Sequence, residues 1–275
     1  MTTLQEEIIA TLGVKPIINI EEEIRERINF IKNFVTKNPA IKGYVLGISG
    51  GQDSTLTGKL TQLAVTELKN EGYEATFIAM RLPYGIQKDE EDAQLALNFI
   101  KPEKTLTFNI KPAVDAIEET YNQLPDEAKL TDYHKGNVKA RQRMVAQYAV
   151  AGQNQLIVCG TDHYGEAVSG FWTLFGDGGV DILPIAGLTK GQGKELLKAL
   201  GCPERLYTKA PTADLLDTVI GQPDETELGI TYEVIDAYGR GEKVSPEDQE
   251  KIEARYLKTE HKRHLPITPF DEWIK

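Results

Sequence analysis

Residues 44–59 read Tyr44-Val-Leu-Gly-Ile-Ser-Gly-Gly-Gln-Asp-Ser-Thr-Leu-Thr-Gly-Lys59, an apolar run, then a polar turn, then a helical pattern. The apolar run suits a strand that is buried on both faces of a parallel sheet. After the turn, Leu56, Leu60 and Ala64 return at helical spacing. The segment therefore predicts a strand, a tight turn and a helix.

The turn has the composition of a phosphate site. Gly50 and Gly51 allow backbone angles that direct successive N–H groups into one concavity at the helix start. The hydroxyl groups of Ser49 and Ser54 add donors, and the helix N-terminus favours an anion. Asp53 would repel a phosphate unless a cation lay between them, so we infer Mg²⁺. The alternative is an ordinary glycine turn, because the spacing matches neither common phosphate-loop motif.

Composition excludes several classes of protein. With 275 residues, 40% hydrophobic and 27% charged, the chain is expected to form one globular domain. Its net charge of −11 argues against broad nucleic-acid binding. We expect a cytoplasmic protein without a membrane partner, because no apolar run reaches the length of a span and the first residues lack a signal-peptide pattern. Cys159 and Cys202 have no metal-ligand spacing.

Strand and helix patterns alternate along the chain. Further strands are predicted at Ala75–Met80, Thr105–Ile110 and Leu156–Gly160, with helical patterns between them. This order predicts an α/β fold with a doubly wound, mostly parallel sheet and helices on both faces. We take residues 1–275 as a single domain, in which residues 1–19 form a helical arm that packs on a neighbour and residues 20–275 form the core.

Loops after the predicted strands are candidates to cover the site, because open α/β sheets bind ligands at that edge. Residues 82–88 and 203–229 lack periodicity and are predicted to be mobile loops. Glu166 follows Asp162 by four residues, so a helix starting there would place both carboxylates on one face. For Asp162 we favour the role of an acid at a helix N-terminus.

A helix is predicted to begin near residue 189. Thr189 is a suitable N-cap, but Lys190 then lies in the first turn, where the helix dipole disfavours a cation. An anionic ligand would remove this conflict. Before it, Phe171, Trp172 and Phe175 lie in a glycine-rich stretch, where they can stack on a flat ligand or, more commonly, fill a core.

Several motifs together carry a family resemblance. Residues 49–54 resemble the S-G-G-x-D-S loop of the N-type ATP pyrophosphatases, which split ATP into AMP and pyrophosphate. Taken in order, further stretches are similar to the ammonia-dependent NAD⁺ synthetases: Arg81-Leu-Pro-Tyr-Gly85, Gln87-Lys-Asp-Glu90, Gly136-Asn-Val-Lys-Ala-Arg-Gln-Arg-Met144, Gly160-Thr-Asp162, Gly176-Asp-Gly-Gly179, Leu188-Thr-Lys190, Pro211-Thr-Ala-Asp-Leu215, Asp224-Glu-Thr-Glu-Leu-Gly229 and His261-Lys262.

The resemblance implies a Rossmann-like ATP pyrophosphatase fold and a specific reaction. Deamido-NAD⁺ is adenylated by ATP on its nicotinate carboxylate, and ammonia then displaces AMP to give NAD⁺. The implied ATP contacts are Gly47, Ile48, Ser49, Gly50, Gly51, Gln52, Asp53, Ser54, Thr161, Lys190 and Thr212. The implied Mg²⁺ ligands are Asp53 and Glu166, and the implied deamido-NAD⁺ contacts are Arg141, Asp181, His261 and Lys262. Asp53 and Lys190 are implied catalytic residues, and we interpret Asp177 as the group that binds ammonium and accepts its proton.

The resemblance also implies a homodimer with the dinucleotide sites at its interface, for which the helix near residues 135–152 is a suitable element. One position departs from the family pattern, because Leu174 stands where a lysine usually contacts deamido-NAD⁺. Two alternatives remain at this stage: a related amidase of the GMP synthetase type, and a protein that binds ATP without turnover. Pyrophosphate release separates turnover from binding alone.

Overall fold

The computed structural model describes residues 2–86, 89–125, 128–211, 215–218, 222–264 and 266–274. The strands are β1 (Gly43–Gly47), β2 (Thr76–Arg81), β3 (Lys104–Thr107) and β4 (Ile157–Val158). The helices are α1 (Leu4–Thr11), α2 (Ile20–Lys37), α3 (Gln52–Asn70), α4 (Glu90–Ile100), α5 (Lys111–Tyr121), α6 (Asp132–Gln153), α7 (Tyr164–Ser169), α8 (Lys190–Ala199), α9 (Glu204–Thr208), α10 (Asp224–Leu228), α11 (Tyr232–Gly239) and α12 (Pro246–Lys258). Two 3₁₀ helices follow at Glu260–Lys262 and Glu272–Ile274.

The four described strands form one parallel sheet in the order β3-β2-β1-β4. Tyr44 of β1 lies opposite Phe77 of β2 on one side and Ile157 of β4 on the other. The chain therefore adds strands outward from β1 to β3 and then returns to the other side of β1. This reversal confirms the doubly wound α/β fold, and it opens a crevice at the carboxyl ends of β1 and β4.

Alternate residues of β1 belong to separate cores, because successive side chains of a strand point to opposite faces. Tyr44 and Leu46 pack in a cluster that includes residues of α2, α3, α4 and α8. Val45 packs on the other face with Ala146 and Ala151 of α6. Both faces of the sheet are thus covered by helices, which explains why the β1 sequence is continuously apolar.

A third apolar cluster lies beside the sheet and joins α1, α7, α11 and α12. Ile8 of the N-terminal arm is fully buried in it, as are Tyr164 and Tyr238. The arm therefore packs on helices of its own chain. None of the helices in the described part of the chain is long and apolar enough to cross a lipid bilayer.

Some element boundaries differ from the predictions. The predicted strand Thr105–Ile110 corresponds to β3, which ends at Thr107. Of the predicted strand Leu156–Gly160, only two residues form β4. Cys159 adds an isolated bridge to Ile182. The aperiodic segment 203–229 contains α9 and α10. Asp162 was wrongly interpreted as a helix N-terminal acid, because α7 begins two residues later with His163 as its N-cap.

Candidate active site

A cavity of about 810 Å³ opens at the carboxyl edge of the sheet. Its walls include Gly47 at the end of β1, Met80 in β2 and Thr161 just after β4. Lys190 and Lys262 also line it, although they come from distant parts of the chain. The cavity therefore occupies the crevice that the strand order predicts for a ligand.

The glycine turn forms the floor of this cavity. The Ser49 N–H donates to Ser54 Oγ (3.3 Å), and the two hydroxyl oxygens lie 3.0 Å apart. Gly50 has a φ of +85°, and a Cβ built there would lie 2.6 Å from the backbone nitrogen of Ala93. Gly51 is the N-cap of α3, whose N-terminus has no side-chain cap among the described residues. The turn thus leaves a helix N-terminus open to an anion.

Asp53 and Lys190 form an ion pair beside the turn, with 2.6 Å between Oδ2 and Nζ. Burial disfavours ionisation of Asp53, but the charge and hydrogen bond of Lys190, together with smaller contributions, hold the pKa of Asp53 below its ordinary value. Burial likewise opposes the charge of Lys190, and Asp53 raises the pKa of that ammonium group. Lys190 Nζ also lies 5.1 Å from the centre of the Tyr232 ring. The pair therefore stays ionised within the cavity wall.

The backbone of Lys190 is held from two sides. Asp236 accepts the N–H groups of Lys190 (3.0 Å) and Gly191 (2.7 Å), and Gln52 donates to the Lys190 carbonyl (2.8 Å). Burial raises the pKa of Asp236, and these N–H donors oppose that rise. Thr189 caps α8 as predicted. The anion at this helix N-terminus is therefore a buried side chain of the same chain, whereas the sequence had suggested an anionic ligand.

Glu166 lies close to Asp53. The ligand atoms of Asp53, His163 and Glu166 are all within 4.8 Å of one another. Burial raises the pKa of Glu166 well above its ordinary value, and the nearby charges of Asp162 and Asp53 add to the rise. A cation between these carboxylates would reverse that effect, and paired carboxylate oxygens are suitable ligands for Mg²⁺.

Asp177 and Lys262 also line the cavity. Asp177 Oδ1 accepts the Thr173 N–H (2.9 Å), and Lys262 Nζ donates to the Gly170 and Trp172 carbonyls (2.8 and 2.6 Å). The Asp177 side chain is accessible from the cavity, but the protein enclosing it disfavours the ionised form and raises its pKa. Asp177 is therefore an unusually basic carboxylate in the cavity wall.

The aromatic stretch is divided between core and surface. Phe171 packs on the third apolar cluster and also lines the cavity, Trp172 lines the cavity, and Phe175 is exposed. The Lys262 ammonium lies 5.2 Å from the centre of the Trp172 ring, which holds this part of the wall in place. Two of the three rings, those of Phe171 and Trp172, therefore belong to the cavity wall.

Three of the predicted substrate contacts are not among the described residues that line the cavity. Arg141 is exposed and its Nε donates to the Leu174 carbonyl (3.2 Å). Asp181 is exposed and accepts the Val158 N–H (2.7 Å), while His261 is exposed in a 3₁₀ helix. Thr212 and the loop positions 87 and 88 lie outside the described residues.

These features define a class: enzymes with a doubly wound α/β fold that hold a nucleotide phosphate at the carboxyl edge of the sheet. Within this class, the chain belongs to the NAD synthase family, which matches residues 23–266.

Relatives resemble the chain over its whole length. The NH(3)-dependent NAD(+) synthetases of Bacillus licheniformis and Bacillus cereus are each 59% identical to it over 273 residues, covering 99% of this chain and 100% of each relative. The solved structure of NAD+ synthetase from Burkholderia pseudomallei is 42% identical, with a TM-score of 0.80, and the likeness covers 95% of this chain and 96% of that one. NMN synthetase from Francisella tularensis also has a TM-score of 0.80, at 33% identity, covering 93% of this chain and 100% of that one.

Sequence reasoning missed two residues of the site. His163 contributes to the Asp53–Glu166 group, and its place between two acids was an available signal. Asp236 had no comparable signal, because a single acid in a helix gives no indication of the distant N–H groups that it accepts.

Proposed function

We propose that this chain is an ammonia-dependent NAD⁺ synthetase: it amidates deamido-NAD⁺ with ammonia at the expense of ATP, releasing AMP and pyrophosphate. The full-length likeness to relatives of that name carries the proposal. The site supports it, because adenylation of a carboxylate needs a phosphate cradle and fixed positive charge, amidation by ammonium needs a base, and residues suited to all three line one cavity. A carboxylate cannot lose an oxide to ammonia, whereas an acyl adenylate expels AMP.

In the first step, a carboxylate oxygen of the nicotinate attacks the α-phosphorus of ATP and pyrophosphate leaves. The turn Gly47–Ser54 and Thr161 hold the triphosphate, with Thr212 as a further proposed contact. Lys190 offsets the negative charge that develops on the departing pyrophosphate, because its ammonium is fixed in the wall before the reaction begins. Magnesium held by Asp53 and Glu166 supplies further charge neutralisation when it is bound.

In the second step, ammonia attacks the acyl carbon and AMP departs. Asp177 binds the ammonium ion and takes its proton, which leaves ammonia with a nucleophilic lone pair next to the activated carbonyl. The raised pKa of Asp177 suits this role, since a base closer in pKa to the ambient pH accepts a proton more readily. Lys262, beside it, is proposed to contact deamido-NAD⁺.

We further propose a homodimer that completes the dinucleotide site. Arg141, Asp181 and His261 are exposed on the single chain and outside its cavity, so a second copy would bring them against the same ligand. Helix α6 supports this arrangement, because Val145 leaves apolar surface exposed on it outside the cavity.

Pyrophosphate release from Mg²⁺ and ATP tests the proposed function, with NAD⁺ followed in parallel. We expect release that depends on deamido-NAD⁺, and NAD⁺ only when ammonium is added. Nicotinate mononucleotide is the informative second acceptor, because a solved relative of similar fold is an NMN synthetase. Release with the mononucleotide alone would reassign the substrate, release with XMP alone would indicate a GMP synthetase-type enzyme, and no release with any acceptor would contradict catalysis.

A further inference from the structure

His163 has a defined proton position. It is the N-cap of α7, is only 2% exposed, and its Nδ1 accepts the Gly165 N–H at 2.9 Å. In a neutral imidazole one nitrogen accepts and the other carries the proton. Because Nδ1 accepts, the proton lies on Nε2. A protonated imidazolium has no nitrogen free to accept, so the ring that accepts the Gly165 N–H is in its neutral form.

The ring orientation is held by its neighbours. A Cβ built on Gly165 would lie 2.8 Å from His163 Cε1, so a glycine is needed where the ring packs on the backbone. On the same side the ring centre of Tyr232 is 5.6 Å from that of His163. Turning the ring over would also remove the acceptor of the Gly165 N–H. Nε2 therefore keeps one direction.

This direction is toward the carboxylate pair. Nε2 lies 3.7 Å from Glu166 Oε2, and Asp53 is the third member of the same cluster. Nε2 has no hydrogen-bond partner among the described residues, although buried donors are nearly always paired. The protein thus keeps a buried N–H donor beside two acids, where a ligand oxygen would satisfy it.

We propose that His163 is a hydrogen-bond donor to the bound magnesium–ATP complex and not a metal ligand. Its Nε2–H donates to an oxygen of the triphosphate or of the water that accompanies it, between Asp53 and Glu166. A nitrogen that carries a proton cannot also coordinate a metal. The metal is then held by oxygen alone, which favours Mg²⁺ over metals that prefer imidazole. This inference rests on the proposed function, since it takes ATP as the ligand.

The test is the pair His163→Asn and His163→Ala. Asparagine is a preferred N-cap, so its oxygen can take over from Nδ1 while the Nε2–H is lost. Alanine removes both. Calorimetric titration with ATP and Mg²⁺, without an acceptor, measures binding in the absence of turnover. We expect both variants to weaken binding about tenfold, the usual effect of losing one hydrogen bond to a charged group, while only alanine also lowers the melting temperature markedly.

Two results would overturn the inference. Unchanged ATP binding by His163→Asn would show that the histidine serves only as a helix cap. In the wild-type chain labelled with ¹⁵N-histidine, long-range ¹H–¹⁵N correlation should show that Nε2 of His163 carries a proton and keeps it when Mg²⁺ and ATP are added. Loss of that proton on addition of Mg²⁺ and ATP would identify His163 as a metal ligand. Failure of the wild type to bind ATP would instead overturn the proposed function and this inference with it.

Discussion

Single side chains in this site have properties that their neighbours impose. The carboxylates of Asp53 and Asp177 line the same cavity, yet the pKa of the first is lowered and that of the second is raised. Asp53 is paired with Lys190, whereas the wall around Asp177 disfavours its charge. The two aspartates are therefore suited to the different roles proposed for them, ionised metal ligand for Asp53 and base for Asp177.

Replacement of Asp177 by asparagine should separate the two steps. We expect pyrophosphate release in a single turnover to be nearly unchanged, while amidation slows about 100-fold, because a general base is lost. Since the pKa of Asp177 is raised, the wild-type amidation rate should increase with pH above the ordinary titration range of an aspartate, and the variant should lack that increase. Lys190→Met is the comparison and should slow pyrophosphate release. Equal slowing of both steps by Asp177→Asn would contradict the assigned role.

His163 should make stability depend on pH. Its folded-state pKa of about 4 is below the ordinary 6.5, so the unfolded chain takes up a proton first as pH falls. The contribution of neutral His163 to the free energy of unfolding is complete above pH 6.5 and is lost as the pH falls toward 4. Urea denaturation should show that wild type loses about 2 kcal/mol more than His163→Asn between pH 7 and pH 5. Parallel pH profiles of the two proteins would rule out this linkage.

At the scale of elements, the turn between β1 and α3 depends on how closely α4 approaches it. Gly50 has a positive φ and lies against the backbone of Ala93, whereas Gly72 has a similar φ of +88° with open space around its Cβ direction. The two glycines therefore separate the effect of backbone conformation from that of contact.

Gly72→Ala should cost about 1–2 kcal/mol of unfolding free energy, the strain of a left-handed residue. Gly50→Ala should cost more and should also raise the KM for ATP, because α4 or the turn must move to admit the methyl group. Denaturant titration and steady-state kinetics on both variants check this. If the two alanine variants behave alike, the contact with Ala93 is not what requires Gly50.

The N-terminus of α8 likewise depends on a contact with a distant residue, the carboxylate of Asp236. Asp236→Asn should lower the unfolding free energy by about 1–3 kcal/mol, because one N–H then faces an amide N–H instead of an oxygen. Lys190 should shift as a result, reducing kcat on the order of tenfold. Glu103→Gln is the matched control: its carboxylate accepts the Phe77 N–H at 2.7 Å, near the amino end of β2. Stability should fall in both variants, but kcat only in Asp236→Asn; an unchanged kcat there would show that Asp236 is purely structural.

At the scale of the whole molecule, the sheet reversal and the three apolar clusters bring the cavity wall together from most of the chain. The proposed substrate residues on the outer surface remain apart from it, which is the physical basis of the proposed dimer. Helix α6 carries the test, because Val145 is 50% exposed at its middle.

Val145→Glu should prevent the proposed dimer from forming, so that monomers appear in sedimentation experiments, and should raise the KM for deamido-NAD⁺. Burying a charge in an apolar interface is unfavourable, which disfavours association. Tyr73→Glu is the control, since Tyr73 is 44% exposed just before β2, at the other edge of the sheet from the cavity. A wild-type monomer, or a dimer unaffected by Val145→Glu, would contradict the proposed interface.

The sequence by itself determined the alternation of strands and helices and supplied the candidates for the site: continuous apolar runs are typical of parallel strands, the cap at Thr189 is a local pattern, and the glycine turn with Asp53 has a characteristic composition. These signals come from residues that are close in sequence, so they can be recognised without knowledge of the fold. The tertiary structure alone decided the contacts between distant residues. Lys190 meets Asp53 across 137 positions, and Asp236 meets Lys190 across 46. Such contacts, and the pKa shifts that follow from them, depend on packing and burial that no local pattern encodes.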